Sequence, residues 1–166
     1  MNAAATVRAA ERTTSESTLV LIGAMLVLAG AIHVVVVPEH LDHWVPFGIA
    51  FAVLAALQFA LAVVLYRAPT VGRLRFAADL STAVVLVWIL SRTTGLPVGP
   101  DAGRAEAAAP IDVAATVAEL HVAFSGWWLT RLGKDAVDLP PWAMWAALWI
   151  LVGGVAALTA GSGAHH

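Results

Sequence analysis

From Leu19 to Val37 the chain runs for nineteen residues with one ionisable side chain among them, His33. A helix of that length rises about 28 Å at 1.5 Å per residue. That matches the roughly 30 Å hydrocarbon core of a bilayer. The pattern recurs. Phe47 to Tyr66 is broken only by Gln58, and Phe76 to Leu90 extends backwards through Leu74 and Val71 if the neighbouring arginines snorkel. Trp142 to Ala160 is a further apolar run, whereas Ile111 to Thr130 carries Asp112, Thr116, Glu119, His121, Ser125 and Thr130. The chain therefore reads as all-α, a helical transmembrane bundle of five spans over 19–37, 47–66, 74–90, 111–130 and 142–160. The alternative is four spans plus one interfacial helix, with 111–130 lying amphipathically at the membrane surface.

Charge bias separates the two. With five spans and the N-terminus in the cytoplasm, Arg8, Arg12, Arg67, Arg73, Arg75, Arg131 and Lys134 fall inside and only Arg92 and Arg104 outside. With four spans the split becomes five against four. The positive-inside pattern favours five. The aromatic residues agree, with Trp44 and Trp88 at the outer edge and Tyr66, Trp127, Trp128, Trp142 and Trp145 at the inner edge. Arg8, Arg12 and Ala29-Gly30-Ala31 loosely resemble a signal peptide, but the apolar run continues past them to Val37. Residues 1–17 read as a disordered cytoplasmic N-terminus and 161–166 as a tail.

Composition narrows the function classes. Charged residues make up 12% of the 166, about half the usual share for a soluble domain, so much of the surface faces lipid. A formal net charge of −2 argues against a nucleic-acid partner. The absence of cysteine removes disulfides, thiolate metal sites and cysteine nucleophiles. No local catalytic triad, phosphate loop or H-E-x-x-H motif is present, and the sequence assigns no reaction.

Chemistry-bearing residues gather at the outer side. His33 shares a helix face with Gly23, Leu26 and Gly30, a small-residue seam of the kind that packs on another helix. Pro38 suits the first turn of a new short helix. There His40 and His43, and Glu39 and His43, would each share a face. On the fourth segment Asp112 and Glu119 are seven apart and share a face with Thr116, while His121 points nearly opposite. Imidazoles and carboxylates together suit a divalent metal, Zn, Cu or Fe. The candidate ligands are His33, Glu39, His40, His43, Asp112 and Glu119. The plainer alternatives are water-satisfied groups in an interfacial loop and a structural ion pair between Glu119 and Arg92. Gln58 reads as an interhelical hydrogen-bonding residue, and Asp79 as an i,i+4 partner of Arg75.

Two segments, P-E-H-L-D-H-W after His33 and S-R-T-T-G-L-P-V-G-P before Asp112 and Glu119, resemble those of small uncharacterised actinobacterial polytopic membrane proteins. The resemblance implies a helical membrane fold and carries no activity with it. Three functions compete. One is a membrane metalloprotein. Another is a non-catalytic accessory subunit of a larger membrane complex or homo-oligomer, in contact with lipid. The third is a b-haem or quinone site using His33 and His121.

Overall fold

The computed structural model describes residues 3–131, with side-chain surroundings from residue 16 to residue 130. Four helices follow in order: α1 (Ala3–His43), α2 (Val45–Arg67), α3 (Val71–Thr93) and α4 (Pro110–Arg131). No strand occurs among the described residues. Three stretches are long and apolar enough to cross a membrane: Glu16–His43, Val45–Arg67 and Val71–Thr93.

Five spans is thus more than the described helices support. The expected segment 142–160 lies outside the described residues. The segment 111–130 is helical but too polar to qualify on composition. The reason is visible in its packing. Thr116, Glu119, His121 and Ser125 are all buried, on several faces of α4. The helix lies against both α1 and α3, so protein, and not lipid, surrounds its polar groups. A helix enclosed in this way does not have the one-sided burial of an interfacial amphipathic helix.

α1 packs along α2 and α4, and α4 also packs on α3, while the sequence neighbours α2 and α3 barely touch. Small residues allow the closest approaches. A Cβ at Gly126 of α4 would come within 2.8 Å of the Ala78 Cβ on α3, and one at Gly30 of α1 within 3.1 Å of the Phe59 ring on α2. The apolar core joins Ile22 and Leu26 of α1, Leu61 and Leu65 of α2, Leu74 and Ala77 of α3 and Val122 of α4. Large apolar side chains such as Val20, Val35, Val53 and Leu86 point outward, a surface compatible with contact with lipid.

Two local readings are corrected. Pro38 lies inside α1, which runs on to His43 and reaches back to Ala3 through the stretch read as disordered. Proline removes one N–H and one hydrogen bond, and the turns on either side hold the helix. Arg75 lies over the Trp127 ring, 5.5 Å from its centroid, and no ion pair joins it to Asp79 among the described residues.

The α3–α4 connection, residues 94–109, folds back on itself. Gly103 N–H donates to the Leu96 carbonyl at 2.8 Å and Glu106 N–H to the Ser91 carbonyl at 3.0 Å. This loop and the α1–α2 turn share one end of the bundle, the loop end. The α2–α3 turn marks the other. There Thr70 caps α3 by accepting from Arg73 N–H.

Candidate functional site

A chain of three buried polar side chains crosses the interior and ties together three helices. His33 Nδ1 of α1 is 2.8 Å from Gln58 Oε1 of α2. Gln58 Nε2 in turn donates to Glu119 Oε1 of α4. His33 is 4% exposed, and Gln58 and Glu119 are 0% exposed. α3 closes the site with Ser81, also fully buried. Ser81 is near enough to act on the Glu119 carboxyl, yet Ser81 Oγ and Glu119 Oε2 both lack a partner of hydrogen-bonding geometry.

The network has a direction. Gln58 gives its N–H to the carboxyl, so its carbonyl oxygen faces His33 and can only accept. His33 therefore carries its hydrogen on Nδ1, which leaves Nε2 as the basic nitrogen of the neutral ring. The same logic applies one level nearer the loop end. His40 Nδ1 lies 2.8 Å from the Val36 carbonyl, which only accepts, so Nδ1 donates and Nε2 is again the base. Both imidazoles pack on the Phe51 ring, with centroid separations of 5.5 Å for His33 and 4.3 Å for His40.

Above this lies a layer of ion pairs. Arg92, at the end of α3, donates to Asp112 Oδ2 at 2.6 Å and to Glu106 Oε2 at 2.5 Å. Asp112 also accepts from Ala109 N–H at the start of α4. The expected partner of Arg92 was Glu119. The structure pairs it with Asp112 and Glu106 instead, two turns nearer the α4 N-terminus than Glu119 and on the loop itself. His43 Nε2 is 3.0 Å from Asp101 Oδ2, at the exposed rim.

The six expected metal ligands therefore do not assemble. His33 and Glu119 meet through Gln58, Asp112 belongs to Arg92, His43 to Asp101, His40 to Val36 and Phe51, and Glu39 is exposed. Among the described residues no group of three or more His and carboxylate side chains is placed to hold one ion. Glu39 and His43, four apart, and His40 and His43, three apart, still share faces of α1, but His40 is held by the Val36 carbonyl and His43 by Asp101. For a haem shared by His33 and His121 the partners also differ, Gln58 for the first and Ser125, at 3.3 Å, for the second.

The sequence signalled His33, Gln58 and Glu119 individually, as polar residues within apolar runs. Ser81 was missed. A serine one residue after Leu80 in an apolar helix is too common to single out, though its placement mid-helix was the available hint. A groove of about 690 Å³ opens at the opposite end between α1 and α2, apolar except for Glu16, Tyr66 and Arg67, and does not reach the network. No family model, curated protein or solved structure matches the chain.

Proposed function

We propose that this is a polytopic integral membrane protein with a proton-handling site in its interior. In this reading Glu119 is the group that takes up and releases the proton, and Gln58 and His33 are positioning residues. One observation carries it: a fully buried carboxyl with one oxygen held by an amide and the other without a partner. Ionisable groups inside membrane bundles are expensive and mark proton relays and ion paths. Among the described residues no arginine or lysine is paired with Glu119, and Arg92 is taken by Asp112 and Glu106. The loop end, poor in arginine and lysine, is the extracytoplasmic face, and the N-terminus is cytoplasmic.

A lipophilic carbodiimide tests the reading, since it reacts with protonated carboxyl groups in apolar surroundings. Mass spectrometry of the protein in native-lipid nanodiscs should find the adduct on Glu119 and none in Glu119→Gln. A water-soluble carbodiimide should label Glu106 and Asp101 first. Unmodified Glu119 across the pH range, with surface carboxyls reacting, would sink it.

A second reading has its own support. Polar side chains that bridge helices act as packing glue, and Gln58 does bridge two helices. An accessory subunit whose network is purely structural would keep its helices and stability in Glu119→Gln and show no carbodiimide adduct in the wild type.

A further inference from the structure

We infer that Gln58 is a two-position amide that couples the protonation of Glu119 to the tautomer of His33. The inference rests on Glu119 taking up a proton, as proposed above.

The two ends of a carboxamide are nearly the same size, so its setting is decided by neighbours and not by shape. In the setting observed, the N–H faces Glu119 Oε1 and the carbonyl faces His33 Nδ1. That setting suits a Glu119 oxygen that accepts. A proton on Glu119 Oε1 would meet the N–H head on. A proton on Oε2 finds no acceptor in hydrogen-bonding geometry, Ser81 Oγ included. A proton on Oε1 finds one as soon as Gln58 turns over and presents its carbonyl.

The turned amide then offers its N–H to His33 Nδ1, which must become the lone-pair nitrogen. The hydrogen of His33 moves to Nε2. The proton count closes: one proton is taken up at His33 Nε2, one is given up from Nδ1, and Glu119 gains one. Gln58 receives the Nδ1 proton on Oε1, turns over, and hands that same proton from Oε1 to Glu119, so it ends as an intact amide with its carbonyl toward Glu119 and its N–H toward His33. His33 and His40 contact the same Phe51 ring, His40 one level nearer the loop end. Around Glu119, α1 presents His33, α2 Gln58 and α3 Ser81; among the described residues no charged side chain of another helix is bonded to it.

The test is nuclear magnetic resonance of protein labelled with ¹⁵N-histidine and ¹³C-glutamate in nanodiscs, titrated with pH. His33 and Glu119 are assigned by loss of their signals in His33→Phe and Glu119→Gln. The expected result is a change of His33 from Nδ1–H to Nε2–H with the same midpoint as the Glu119 carboxyl. In Gln58→Met, Glu119 should still titrate while the His33 tautomer no longer follows. A ring that keeps Nδ1–H through the Glu119 titration, or goes straight to the doubly protonated form, overturns the coupling and leaves the proton-handling reading standing. So does a linkage that survives Gln58→Met. A Glu119 that never titrates overturns both, and the wild-type titration decides the matter even if a variant misfolds.

Discussion

Gln58 and Glu119, 61 residues apart in the chain, are joined by a hydrogen bond within the bundle, and both are fully buried. The bond connects α2 to α4, two helices with little other contact. It therefore bears directly on whether α4 stays seated.

Removing Gln58 strips His33 Nδ1 and Glu119 Oε1 of their partner together. Interhelical hydrogen bonds in membrane proteins contribute about 0.6 kcal/mol on average and up to about 1.7 kcal/mol. The Gln58–Glu119 bond should fall in the upper half, because among the described residues no other hydrogen bond to the Glu119 carboxyl is made. A double-mutant cycle of Gln58→Leu and Glu119→Leu, read by reversible unfolding in mixed micelles, should give a coupling near 1 kcal/mol, roughly. A coupling within error of zero would mean that the pair is not made in the membrane.

How far the sequence carried can be judged from these residues. That His33 faces protein and that Gln58 bonds across helices were both legible, since a polar group in an apolar run has few alternatives in lipid. The burial of Glu119 was legible for the same reason. Its partner was not. Arg92 and Glu119 looked like a pair because they lie towards the same side, but pairing depends on depth and on the loop. Glu106 and Asp112 are nearer the end of α3 and claim the guanidinium first. Among the described residues Asp112 and His43 meet Arg92 and Asp101 and not the other expected ligands, and α1 continues through Pro38. Proline's positional preference was weighed there without the packing against α2 that holds the helix together.

Arg92 clamps the loop end, with only 9% of its side chain exposed. Breaking a buried ion pair by removing one partner costs about 3–5 kcal/mol. The Asp112 and Glu106 side chains are 25% and 51% exposed, so Arg92→Ala should cost less, roughly 2 kcal/mol, and free the loop. Arg92→Lys keeps the charge but not the fork that reaches two carboxylates, so it should fall between. Limited proteolysis within 94–109 should accelerate in the order wild type, Lys, Ala. Equal cleavage rates in all three would show that the clamp is ornamental.

The loop's glycines are not equivalent. Gly95 has φ of 75°, and a Cβ there would lie 2.4 Å from the Arg104 backbone; Gly103 has φ of 76° with no atom within 4 Å of its Cβ position. Left-handed backbone costs a non-glycine residue about 1–2 kcal/mol. Gly103→Ala should show that penalty alone, and Gly103→Asn less. Gly95→Ala adds a backbone clash and should unfold the loop, seen as lost hydrogen-exchange protection at the Glu106 amide. Matching effects at the two positions would contradict the packing of Arg104 against Gly95.

The enclosure of α4 is open to a direct check, because the chain has no cysteine of its own. Phe124 is 49% exposed, while Ala118 and Val122, on other faces of the same helix, are 1% and 0% exposed. A lipophilic maleimide in nanodiscs should label Phe124→Cys quickly and leave Ala118→Cys and Val122→Cys unreacted until the protein is denatured. A helix lying at the interface would instead expose one face to a water-soluble maleimide, and that face would include Glu119 or His121 because burying either in lipid is costly. Rapid labelling of Ala118→Cys by the water-soluble reagent would thus remove α4 from the bundle interior, and with it the enclosed carboxyl on which the proton-handling reading stands.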